Sequence, residues 1–153
     1  MNKESQRVLE TLKYRRYMLI RFLLAFLLFS SVYEVVVLHY LKEKLMYLLL
    51  IKAFLFLICG IEQVFAPKIE KFSKLNILFY SLIITTTINF FEIFVVINSY
   101  KSIFPFFANS EYALIYVLVK IAIKAILFIK ILLIRKNKDR GYRSIDKFLK
   151  LKG

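Results

Sequence analysis

The chain has no tryptophan, one cysteine, one histidine, two prolines and three glycines among 153 residues. A single cysteine excludes an internal disulfide framework or a paired-thiol motif, and Cys59 lies inside an apolar run. So few glycines leave no phosphate-cradling loop, and one His with one Cys leaves no metal-ligand spacing. No helical stretch carries a pair of carboxylates placed for acid–base work. An enzyme is therefore not expected, nor a cofactor or a metal site. The same scarcity of Gly and Pro argues against the broken helices of many transporters.

Acidic residues are also few: 10 Asp and Glu against 24 Lys and Arg, a net charge of +14. A balance this basic raises the question of nucleic acid, but no folded module that would display a basic patch is visible. Anionic lipid headgroups are the expected partner instead.

What is present is apolar. Hydrophobic residues make up 60% of the chain and mean hydropathy is +0.66, where a soluble domain has about 45–50%. Crossing a roughly 30 Å hydrocarbon core takes about 20 such residues. Four stretches qualify, 17–41, 45–66, 75–98 and 112–134, with Pro67 stopping the second. Strand-like alternation is missing, and lipid tolerates only internally bonded backbone. The expected fold is all-α: a transmembrane four-helix bundle of two hairpins, spanning 17–134. A basic segment, 1–16, precedes it and a basic tail, 135–153, follows.

Basic residues set the orientation. Seventeen lie on the side of the two termini and the 67–74 loop, and three, Lys42, Lys44 and Lys101, lie on the other. The positive-inside rule then places both termini in the cytoplasm, and a prokaryotic inner or plasma membrane is the expected setting. Nothing in the first run resembles a cleavable signal. In the tail, Ser144 as N-cap with Ile145, Phe148 and Leu149 on one side predicts a short amphipathic helix on the membrane surface.

Short matches link the two halves. Ile51-Lys-Ala-Phe-Leu-Phe resembles Ile123-Lys-Ala-Ile-Leu-Phe, Tyr33-Glu-Val resembles Phe91-Glu-Ile, and Lys68-Ile-Glu-Lys-Phe resembles Ser144-Ile-Asp-Lys-Phe. A parallel internal repeat would give this order. So would chance, in a chain dominated by Ile, Leu, Phe and Lys.

Five charges interrupt the apolar stretches: Glu34, Lys52, Glu92, Lys120 and Lys124. Each costs about 2.5–3.5 kcal/mol near the centre of a spanning helix. By depth, each hairpin offers a carboxylate and an ammonium at one level, Glu34 with Lys52, and Glu92 with Lys120 or Lys124. Ser81, Thr85, Asn89 and Glu92 form one polar stripe, so these groups are expected to face inward. They are either ion pairs that fix helix register or parts of an ion or proton path. Glu62 and Lys130, nearer the helix ends, are expected to snorkel. In the 99–111 loop, Phe104, Pro105, Phe106 and Phe107 form an aromatic cluster that either packs at the outer interface or makes a lip or gate.

The functional expectation is a non-enzymatic membrane protein that works as a homo-oligomer, its Glu and Lys stripes lining or gating an ion or small-solute path. The alternative is an accessory, regulatory or protective subunit (immunity or defence) that docks on another membrane protein through its buried charges.

Overall fold

A computed structural model of the chain describes residues 3–69 and 74–152. Lys71, counted above among the basic loop residues, and residues 70–72 of the third repeat match lie outside the described residues. Described residues form five α-helices and no strand: α1 Lys3–Tyr40, α2 Met46–Phe65, α3 Asn76–Ser99, α4 Ser110–Arg135 and α5 Arg140–Lys152. A 3-10 turn, Tyr100–Ser102, follows α3. By length and composition α1, α2 and α3 (with its 3-10 turn) are each able to cross a membrane.

α1 is longer than the sequence pattern suggests. Its 38 residues reach about 57 Å at 1.5 Å per residue, so the boundary drawn at residue 16 falls inside one continuous helix. The helix ends show how a glycine-poor chain turns corners. After α1, Lys42 takes φ 58°, with Glu43 N donating to Leu38 O (3.0 Å) and Lys42 N to His39 O (3.1 Å). After α4, Asn137 takes φ 51°, with matching bonds from Lys138 N to Leu133 O and from Asn137 N to Ile134 O. Both ends are Schellman closures, a motif that usually takes glycine at its left-handed position.

α1 packs along α2, α3 along α4, and α2 against α3, while α5 folds back onto α1. Two apolar clusters fill the interior. One, at the end that holds the termini, gathers Ile20, Leu24, Leu27, Phe56, Leu78, Leu82, Leu127 and Ile131. The other, at the end of the 99–109 loop, gathers Val96, Ile103, Phe104, Ala113 and Val117. Outward faces are apolar too: Phe29 is 72% exposed, Ile97 71% and Phe94 66%. A surface this rich in large exposed apolar side chains suits lipid far better than water.

Two expectations need correction at the terminal end. The tail helix begins at Arg140, not at Ser144. Asp139 caps it, Oδ2 accepting from Tyr142 N at 3.2 Å, while Ser144 Oγ lies within the helix and donates to Arg140 O. Asp139 also takes a forked bond from Arg16, with Nη2–Oδ1 at 2.7 Å, and Arg16 donates to Ile134 O and Asn137 Oδ1 as well. One arginine of α1 thus fastens the α4–α5 corner.

Glu62 does not snorkel. It is 2% exposed, and its two oxygens accept from Ile77 N (3.0 Å) and Leu78 N (2.7 Å). The residue at the usual capping position, Leu75, has no side-chain oxygen to offer and sits at φ 54°. A carboxylate from α2 therefore satisfies the orphan donors of α3 and complements its dipole. Glu62→Leu strands both amides and is expected to lower stability by about 1–2 kcal/mol, read as a shifted unfolding midpoint in detergent. Glu62→Gln keeps one acceptor and should lose less.

Candidate functional site

Between the two apolar clusters, each of the four long helices places one charge at a common level. Glu34 comes from α1, Lys52 from α2, Glu92 from α3 and Lys120 from α4, and none is more than 1% exposed. Lys120 Nζ lies 2.7 Å from Glu34 Oε1 and 3.3 Å from Glu92 Oε2. Lys52 Nζ is hydrogen-bonded to Glu92 Oε1 and lies 3.9 Å from Glu34 Oε2. Signs alternate around a closed ring, and each carboxylate faces two ammoniums.

The strongest links therefore run between hairpins. Lys52 binds Glu92 and Lys120 binds Glu34, whereas the expected Glu34–Lys52 pair is the longest of the four contacts. Depth matched a carboxylate and an ammonium within each hairpin; it carried no information on contacts between the hairpins. Side-by-side packing of α1 with α4, and of α2 with α3, decides that.

Lys124 stands one turn below Lys120 and has no carboxylate within ion-pair distance among the described residues. Its Nζ donates to Thr85 O (2.7 Å) and Asn89 Oδ1 (2.9 Å), and it lies 5.5 Å from the centre of the Phe56 ring. The cluster thus holds three lysines and two glutamates. In the repeat alignment Lys52 corresponds to Lys124, yet the ring position on α4 belongs to Lys120. Ser81, Thr85, Asn89 and Glu92 are all buried on α3. Cys59 and Gln63 are buried on α2. The polar stripe therefore continues from the ring towards Glu62 at the terminal end.

Above the ring the aromatic loop closes the bundle. Ile103 and Phe104 are fully buried, while Pro105, Phe106 and Phe107 are half-buried. Tyr116 meets Phe104, Phe106 and Phe107, with ring centroids 5.5, 6.4 and 5.3 Å away. Lys120 Nζ sits under this lid, 4.6 Å from the Tyr116 ring centre and 5.1 Å from that of Phe104, within cation–π range.

Tyr116 was absent from the sequence reading. Its hydroxyl donates to Glu34 Oε1 at 2.7 Å and lies 2.5 Å from Ser30 Oγ. Its position four residues before Lys120, on the same helical face, is the signal that was available.

The chain matches no family model, no curated protein and no solved structure.

An alternating ring makes a test that isolated pairs would fail. Glu34→Lys combined with Lys52→Glu sets two ammoniums together at Lys120 and two carboxylates together at Glu92. Uncompensated buried charge costs about 3–5 kcal/mol, so this double variant is expected to unfold at clearly lower denaturant than wild type. Adding Glu92→Lys and Lys120→Glu restores the alternation and should recover most of the loss. Wild-type stability in the double variant would rule the ring out.

Proposed function

We propose that this chain is an integral membrane protein of four spans, with α4 as the fourth and both termini cytoplasmic, whose buried charges gate an ion path. It acts without catalysing a reaction. The outward apolar faces of α1–α4 support the insertion. α4 supports it as well: its 26 residues give about 39 Å, and it shares the buried ring with the other three helices. The seventeen-to-three distribution of basic residues supports the orientation.

The observation that carries the gating reading is the third buried lysine of the cluster, which has no carboxylate partner among the described residues. A pure register lock is served by balanced pairs, but Lys124 adds a third titratable nitrogen, hydrogen-bonded to a carbonyl and an amide oxygen and to no carboxylate. Contacts of 2.7–3.9 Å between the groups leave no room for a hydrated ion. They do allow a proton to pass between neighbours, so a proton is the species this geometry favours. Ring and aromatic lid form the closed gate, and the stripe Asn89, Thr85, Ser81 leads from it to the cytoplasmic end. All of these groups belong to one protomer, so a path of this kind does not require an oligomer.

The alternative, an accessory or protective subunit held in a complex by these charges, needs charges free for a partner. Four of the five face each other within the chain, which makes it the weaker reading.

The reading is tested in liposomes carrying an entrapped pH dye. Wild-type protein is expected to dissipate an imposed proton gradient. Glu92→Gln should reduce the rate at least tenfold while the protein still inserts. Undiminished flux in Glu92→Gln, or no flux above empty liposomes for wild type, would sink the proposal.

A further inference from the structure

The α1–α2 face carries a second polar feature that the charge ring does not use. Near the terminal end a groove of about 260 Å³ is lined by Arg21, Gln63 and Tyr14 together with Leu24, Gly60 and Val64. Arg21 reaches across it, Nη2 donating to the Gln63 carbonyl at 2.9 Å, with its guanidinium 5.1 Å from the Tyr14 ring centre. Among the described residues, three buried polar atoms here have no hydrogen-bond partner: Arg21 Nε and both amide atoms of Gln63. Gln63 is 2% exposed. Leaving such groups unpaired forfeits their hydration without replacement, so a native structure seldom keeps three together.

They ask for a definite chemistry. A guanidinium N–H and an amide N–H call for an anionic acceptor, and Gln63 Oε1 calls for a donor such as a hydroxyl. The remaining wall is apolar. A β-carbon on Gly60 would meet nothing within 4 Å, so the glycine keeps the groove open. Beyond Leu28 the groove continues into a wholly apolar one of about 470 Å³, lined by Val32, Leu50, Ala53 and Phe54. From Arg21 to Val32 is about 16 Å along the helix, one leaflet of a roughly 30 Å core. Arg21 stands four residues inside the first span, at the depth where headgroup gives way to acyl chain.

We infer that this groove is a binding site for one anionic phospholipid of the cytoplasmic leaflet. Its phosphate accepts from Arg21 Nε and Gln63 Nε2, a headgroup hydroxyl donates to Gln63 Oε1, and an acyl chain lies along Leu24, Leu28 and Val32. The inference rests on the membrane reading of the helices and is independent of what the charge ring does.

The test is native mass spectrometry of the full chain released from vesicles of phosphatidylcholine mixed with phosphatidylglycerol. One phosphatidylglycerol is expected to stay bound in preference to phosphatidylcholine, and excess inorganic phosphate should not displace it. Arg21→Gln removes the charge, and Gly60→Leu fills open space without disturbing the core. Each should lower the lipid-bound fraction about tenfold, the equivalent of 1.4 kcal/mol, with helical content unchanged. Equal retention of the two lipids, or retention unaffected in both variants, overturns the site. So does displacement by phosphate alone, or a second protein copy found where the lipid should be. Those outcomes leave the membrane reading standing; a chain that stays outside the vesicles overturns both.

Discussion

Removing a charged side chain from water costs several kcal/mol even after the protein relaxes, and mutual attraction repays this only when geometry is good and the remaining polar atoms are bonded. Four long helices here each bring one such group to the same level, and the rest of the fold follows from having to close that ring. Glu34 and Glu92 cannot each meet two ammoniums unless α1 lies near α4 and α2 near α3. The ring therefore selects one arrangement of helices whose apolar surfaces would pack in several. In the bilayer proposed above this selection would matter more, because burial of apolar side chains no longer distinguishes inside from outside.

Groups adjacent to the ring cover it and take up part of its hydrogen-bonding capacity. Phe104 and the Tyr116 ring cover Lys120 from one end, and the Tyr116 hydroxyl takes up a Glu34 oxygen. Towards the terminal end the apolar cluster of Phe56, Leu82 and Leu127 follows. Two further polar devices fix the terminal end: Glu62 ties α2 to the start of α3, and Arg16 ties α1 to the corner before α5. Each of these binds elements that apolar contact alone would leave free to slide.

Much of this was legible from residue spacing. Four long helices near the expected positions, the inward stripe on α3 and the burial of the five interrupting charges follow from a 3.6-residue period and the cost of charge in lipid. Partner choice was not legible. Glu34 and Lys52 share a level and a hairpin, yet their tightest contacts run to the other hairpin, and no one-dimensional pattern records which helices become neighbours. Glu62 was misread because position near a helix end suits snorkelling, whereas the bare N-terminus of α3 offered a better use for its oxygens. Asp139 displaced Ser144 as the tail's cap because a carboxylate there also meets Arg16, a contact spanning 123 residues of sequence. The groove at Arg21 and Gln63 likewise joins two helices whose polar residues look unrelated in sequence.

The central claim is that one protomer in a bilayer closes the ring across its hairpins. Solid-state NMR on lipid-reconstituted protein, with lysine side-chain nitrogen and glutamate carboxyl carbon labelled, measures this directly. Lys120 should show dipolar contact with two carboxylates, one lost in Glu34→Gln and the other in Glu92→Gln. Dilution with unlabelled protein should leave both contacts in place. A single contact, or contacts that vanish on dilution, would contradict the account.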